Sequence, residues 1–214
     1  ASQDVSFAWK GAEHSLEIPL VGEFQILNAL CAAAITLGDG VETETVLATL
    51  RQMEGVPGRL EKVGETREAA PVLVDYAHTP DGLDKLLRAA RPHTQGRVIV
   101  VFGCGGDRDP SKRQKMGAIA ASQADHIIVT DDNPRSEDPA AIRAAVLKGC
   151  PEAEEIADRS AAIRRGVSML GEGDCLLIAG KGHETGQIVN GTTLPFDDRE
   201  EARKALGERE AAHV

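Results

Sequence analysis

The chain has 214 residues, 42% of them hydrophobic, and a formal charge of −10 from 24 basic and 34 acidic side chains. That length supports one domain, or one and a half, with a real core. The acidic balance argues against nucleic acid or an anionic membrane as the main partner. Only 3% of the residues are aromatic, so Ala, Val, Ile and Leu must build the interior. Cys31, Cys104, Cys150 and Cys175 lie far apart with no CxxC or His-clustered spacing. That excludes a standard zinc signature and offers no disulfide framework. No apolar run approaches the roughly 18 residues of a membrane span, and no basic-then-apolar leader opens the chain. The expected compartment is a reducing cytoplasm, with no membrane insertion.

In chain order, "VSFAWKGAEHSLEIPL" (5–20) alternates around "KGAE" and predicts a hairpin. "GEFQILNALCAAAITLG" (22–38) has helical spacing with Gly38 placed to end it. A second helix is expected over 43–53, then a turn and a short extended segment over 56–64. "GETREAA" (64–70) is polar, carries no periodicity and suits a linker. Beyond it the grammar changes. Apolar runs at 71–76, 97–102, 126–130, 153–156 and 175–180 alternate with helical patterns near 80–91, 112–123, 139–149 and 159–171. Thr79-Pro80 and Asp138-Pro139 each set a capping side chain before a proline at the first helical position. This alternation predicts an α/β fold with a mostly parallel sheet covered by helices on both faces. A hairpin-like pair over 186–196 and a helix from Asp198 close the chain.

Four polar clusters fall at the carboxyl ends of these strands: "DYAHTPD", "GCGGDRD", "TDDNPR" and "GKGHE". In open α/β sheets that edge binds ligands. Each cluster also has a plainer reading. Gly103-x-Gly105-x-x-Arg108 lacks the third glycine of a dinucleotide loop, and its glycines can simply make a turn. "GKG" puts Gly182 where a phosphate loop needs Ser or Thr. His78 and His183 fit ordinary loop histidines, and Asp131 and Asp132 fit caps of a turn. A receiver-type signalling domain would use an acidic pair and a lysine, here Asp131, Asp132 and Lys181. Its acidic pair follows the first strand, however, whereas this one follows the third.

Six blocks, "PLVGEFQILNALCAAA", "GVPGRLEKV", "VDYAHTPDGL", "GCGGDRDPSKR", "TDDNPRSEDP" and "AGKGHE", resemble in order and spacing the Mur ligases, and among them the members that add meso-diaminopimelate. The resemblance implies that residues 1–65 end a central ATP-binding domain of P-loop type. Residues 66–214 would form a Rossmann-like carboxy-terminal domain that holds the amino acid. The family's phosphate loop, magnesium-binding carboxylates and modified lysine are expected upstream of Ala1, so the chain by itself is expected to be inactive. The implied partners are small molecules (meso-diaminopimelate, ATP with Mg2+, and UDP-MurNAc-dipeptide), acting on a monomer.

The resemblance further implies that "DNPR" reads the amino acid. A guanidinium at Arg135 grips the distal carboxylate through two parallel charge-assisted hydrogen bonds, with Arg108 approaching from the neighbouring loop. Pro134 stiffens the corner. Asp132 and Glu184 pair with the distal ammonium, and Asn133 and Gly180 supply neutral hydrogen bonds. By the same resemblance Asn28, Arg59, Asp75 and His78 meet ATP, and Gln25 stands where many members carry Asn. A non-catalytic diaminopimelate-binding module and a sibling ligase for another amino acid are the rival readings.

Overall fold

The computed structural model describes residues 3–20 and 22–212. The chain forms two compact units, Ala1–Val56 and Pro57–Val214. In the first, β1 (Gln3–Trp9) and β2 (Ala12–Ile18) pair antiparallel. The turn between them has Lys10 at φ 47° and Gly11 at φ 82°, the twist that suits a two-residue hairpin. Helices α1 (Glu23–Gly38) and α2 (Thr43–Arg51) follow. Their buried residues, among them Ile26, Ala33, Val46 and Leu50, form one core with Leu16 and Ile18.

The second unit contains β3 (Glu61–Glu65), β4 (Pro71–Asp75), α3 (Pro80–Ala90), β5 (Val98–Phe102), α4 (Ser111–Gln123) and β6 (His126–Val129). It continues through α5 (Pro139–Leu147), β7 (Glu154–Glu155), α6 (Arg159–Ser168) and β8 (Cys175–Ala179). The hairpin β9 (Gly186–Val189) and β10 (Thr192–Pro195) and the helix α7 (Asp198–Ala212) complete it. The sheet order is β3-β4-β8-β5-β6-β7, parallel throughout except for β3. Thr79 and Asp138 cap α3 and α5 as their sequence predicts, each ahead of a proline.

Strands β5 and β8 are buried along their whole length, as a sheet sandwiched between helices requires. Val72, Val74, Ile99, Val101, Leu176 and Ile178 pack on Ile163, Val167, Ala202 and Leu206 of α6 and α7. The alternate residues, such as Leu73, Val100 and Leu177, are equally buried and face the side lined by α3, α4 and α5. Among the described residues no helix is long and apolar enough to cross a membrane.

The chain divides at Val56/Pro57, earlier than the 65/66 boundary expected from sequence. "EKVGE" is an edge strand paired antiparallel with β4. The stretch expected as a linker is a tight turn: Thr66 N–H donates to Ala70 O (3.0 Å) and Ala69 N–H to Thr66 O (2.9 Å). Polar composition without periodicity marks a hairpin turn as readily as a linker, because both lie in solvent.

Candidate functional site

Insertion of β8 between β4 and β5 sets the loops after β4, β8, β5 and β6 side by side at the carboxyl edge of the sheet. All four predicted clusters contribute to one cavity there, of about 440 Å³. Arg108, Lys112, Lys115 and Arg135 bring positive charge to its wall, while Asp109, Asp132 and Glu184 bring negative charge. The lining carries both signs of charge, as recognition of a zwitterion requires.

The glycines of "GCGGDRD" serve close approach. A Cβ on Gly103 would lie 2.2 Å from Thr130 O, and one on Gly106 would lie 2.0 Å from Pro134 O. The loop after β5 therefore presses directly on the loop after β6. The Asp107 carboxylate accepts from the Ser136 hydroxyl (2.7 Å) and N–H (3.2 Å). Glu137 accepts from Asp107 N–H (2.6 Å) and from the buried Arg113 (2.9 Å). These bonds lower the pKa of both carboxyls: for Asp107 the Ser136 hydroxyl is the largest cause, and for Glu137 it is Arg113.

Arg135 stands at φ 52°, a left-handed conformation, and a bridge to Val189 of β9 holds it there. Its N–H donates to Ile188 O (3.0 Å), and its carbonyl accepts from Asn190 N–H (2.7 Å). The side chain turns back so that Nη1 donates to Gly106 O (2.8 Å) and Asn133 O (3.4 Å). Its Nε and Nη2 have no protein acceptor among the described residues. The fork is thus half-anchored and half-available. Arg108 is exposed, and among the described residues its side chain is anchored to the Asp107 carbonyl (3.0 Å).

Beneath the cavity, Lys181 is fully buried and donates to Asn133 Oδ1 (3.0 Å), Glu184 Oε2 (3.0 Å) and Gly186 O (2.6 Å). Asn133 Nδ2 donates to the same Glu184 oxygen (2.9 Å). Gly180 has φ 120°, and a Cβ there would meet Asp132 Oδ2 at 2.7 Å. A fully buried pair, Arg159 with Asp198, lies next to it: Nε and Nη2 each reach a carboxylate oxygen at 2.7 Å. Arg159 also donates to Ala179 O (3.0 Å).

Six of the seven residues predicted to hold the amino acid, Arg108, Asp132, Asn133, Arg135, Gly180 and Glu184, line the cavity; Pro134 shapes the corner behind them. Asp131 is separate, paired with Arg143. Burial pushes its carboxyl up, and Arg143 works against that. Lys181 bonds neither aspartate, so the receiver constellation does not form.

Of the residues predicted to meet ATP, His78 lines the same cavity and donates from Nδ1 to Tyr76 O (2.8 Å). Arg59 lies over the Tyr76 ring at 4.5 Å. Asp75 is buried, its two oxygens accepting from Leu60 and Ala77 N–H, each at 2.7 Å. Burial pushes its carboxyl up, against those two donors. Asn28 belongs to the first unit, exposed on α1. Sequence reasoning missed Lys112 and Lys115. Their i, i+3 spacing after Pro110 marks one face of a helix start and was the available signal.

A family profile described as Mur ligase, glutamate ligase domain, matches residues 58–182. The chain is 55% identical over 202 residues to a protein of Chelativorans sp. (strain BNC1) named UDP-N-acetylmuramoyl-L-alanyl-D-glutamate–2,6-diaminopimelate ligase. That match covers 94% of this chain and 42% of the relative. A protein of the same name from Caulobacter vibrioides is 54% identical over 206 residues, covering 96% and 42%. A solved structure of a ligase of that name superposes with TM-score 0.72 at 34% identity, covering 97% of this chain and 43% of the other. The chain spans less than half the length of these relatives.

Proposed function

The chain belongs to the Mur ligase family, and from that premise we propose that its second unit holds meso-diaminopimelate for ATP-dependent addition to UDP-MurNAc-L-Ala-D-Glu. The proposal covers a polypeptide of the relatives' full length, of which this chain matches about 42%. Such an enzyme works in peptidoglycan precursor synthesis, as a cytoplasmic monomer with small-molecule partners.

The observation that carries the reading is the cavity formed by four strand-end loops and lined by charges of both signs. Diaminopimelate has one amine that reacts and a distal ammonium and carboxylate that identify it. Arg135 offers Nε and Nη2 to the distal carboxylate, and Arg108 adds a second cation. Asp132 and Glu184 face the distal ammonium. Lysine lacks that carboxylate and would leave the Nε and Nη2 of Arg135 with no ligand acceptor, which costs on the order of 10²-fold in discrimination.

ATP, when bound with magnesium, would supply the activation of the substrate's side-chain carboxylate by passing its γ-phosphoryl group to it and releasing ADP, so that attack by the amine would displace phosphate. This chain's contribution is positioning: it holds the nucleophile and its charges in a fixed frame. Asn28, Arg59, Asp75 and His78 are assigned to the nucleotide, Asp75 by bracing the loop that carries His78. Among the described residues no group of three His, Cys, Asp or Glu is placed to hold a metal ion, and magnesium is assigned no ligand in this chain.

Two measurements test the reading. Calorimetry on this chain should show meso-diaminopimelate binding, with L-lysine weaker by about 100-fold on the cost of unpaired guanidinium donors. In the full-length polypeptide, phosphate release should require ATP, magnesium, UDP-MurNAc-dipeptide and diaminopimelate together. Equal binding of the two amino acids, or turnover with lysine at the same efficiency, would overturn the assignment.

A further inference from the structure

A fully buried lysine beside the recognition corner requires an explanation. Transfer of an ammonium from water to the interior costs several kcal/mol unless it is paired and hydrogen-bonded. Lys181 meets that condition completely: three donors meet three acceptors, at 2.6 to 3.0 Å. A well-packed apolar side chain would nonetheless fill the same volume at least as stably. Stability alone does not select lysine here.

What Lys181 does is fix two ligand-facing groups at once. Asn133 Oδ1 accepts from Lys181 Nζ and from Ile188 N–H (2.9 Å). That sets the amide so that Nδ2 points to Glu184. Glu184 Oε2 then receives both Lys181 and Asn133, while Oε1 has no protein donor among the described residues. Glu184 is part of the cavity wall. The same Ile188 whose N–H meets Asn133 gives its carbonyl to the Arg135 N–H. One short chain of bonds therefore ties the Glu184 carboxylate to the backbone that carries the Arg135 guanidinium.

We propose that Lys181 is a positioning residue for amino-acid recognition, locking Asn133 and Glu184 into one unit that presents a single carboxylate oxygen to the ligand's distal ammonium. The inference rests on the reading of the cavity as the diaminopimelate site. Lys181 also pairs with Glu184, so the unit attracts an ammonium mainly by geometry, beside the Asp132 carboxylate in the same cavity wall. Without Lys181, Glu184 is released from its inward bond and Asn133 loses an acceptor-side partner. The carboxylate then becomes a mobile anion instead of a fixed acceptor.

The test uses the full-length ligase with Lys181→Met, Glu184→Gln and the double variant. Lys181→Met should raise the KM for diaminopimelate by roughly 10–100-fold, leaving the KM for ATP within about 2-fold, because the lost interaction belongs to amino-acid binding alone. In the Glu184→Gln background the same substitution should add little, since residues that act through one another are non-additive. The double variant leaves no unpaired buried charge, so it remains measurable even if Lys181→Met folds poorly. Additive effects on the KM for diaminopimelate, or a uniform fall in kcat and in affinity for every substrate, would show a merely structural lysine and overturn the proposal. The wild-type enzyme is the control. If it fails to ligate diaminopimelate, the proposed function falls; if it ligates normally while the variants keep its KM, only the role of Lys181 falls.

Discussion

At Arg135 the backbone and side chain are constrained separately, which makes the residue a clean probe. Its φ of 52° is imposed by pairing with Ile188 and Asn190, so Arg135→Lys inherits the same backbone strain and should change the Tm little. The fork is lost, however, and the KM for diaminopimelate should rise by roughly 10–100-fold with ATP unaffected. Steady-state kinetics on the full-length enzyme reads this directly; equal losses for every substrate would contradict it. A second probe lies at the opposite edge of the sheet. Burial pushes the Asp174 carboxyl up, but the Arg97 side chain, then the N–H groups of Arg97 and Gly171, bring it below its ordinary 3.8. With a folded pKa depressed, its contribution is present above about pH 3.8 and is lost as pH falls through the folded value. Asp174→Asn should therefore cost about 1–2 kcal/mol at pH 7, modest because Arg97 is half exposed. Urea melts at pH 7 and pH 3 should show that gap narrowing. Residues such as Arg108, Asp132 and Glu184 were legible from sequence because charged groups after buried strands gather at one edge. Lys181 was not, since "GKG" gives no sign of whether its lysine turns inward or toward a ligand.

The hairpin β9–β10 acts as a brace for the corner it touches. Its turn has Asn190 at φ 48° and Gly191 at φ 76°, the pair of left-handed residues a tight hairpin needs. Gly191→Val should cost about 1–2 kcal/mol locally through that conformation. By loosening Arg135, it should also raise the KM for diaminopimelate several-fold, on the order of 3–10-fold for a lost increment of that size. A lower Tm with the KM unchanged would show that the hairpin does not set the corner. Elements with strong local signals were readable in advance: the alternation of β1 and β2, the capped starts of α3 and α5, the apolar runs of β4, β5 and β8. The contact between Arg135 and Ile188 was hidden because it joins backbone to backbone and leaves no mark on side-chain pattern. The direction of β3 was hidden for a similar reason: five residues, three half-buried and two exposed, carry too little periodicity to give it.

For the molecule as a whole, the junction between units is open to attack. Glu54–Pro57 is exposed and outside any helix or strand. Limited digestion with a glutamate-specific protease should cut first after Glu54 and leave a resistant piece beginning at Gly55, because nicking favours exposed segments without regular structure. Arg67 sits in a hydrogen-bonded turn and donates to Glu210 O (3.5 Å), so tryptic cleavage there should lag; early cleavage at Arg67, detected by mass spectrometry, would contradict this. Sheet order has a further consequence, for how the chain comes off the ribosome. Strands β4 and β5 are adjacent in sequence order but do not touch, because the place between them belongs to β8. A nascent chain that has reached Gly171 thus holds two buried-type strands with a vacant slot between them and no partner yet made for it. Long-range parallel pairing of this kind is slow and leaves apolar edges waiting. When "CLLIAGKGHE" finally emerges, one event fills the slot and delivers Gly180, Lys181 and Glu184 to their neighbours. Filling the slot brings the Glu184 side of the corner to the loops after β5 and β6, and β9, next off the ribosome, then fixes the backbone of Arg135 through Ile188 and Asn190.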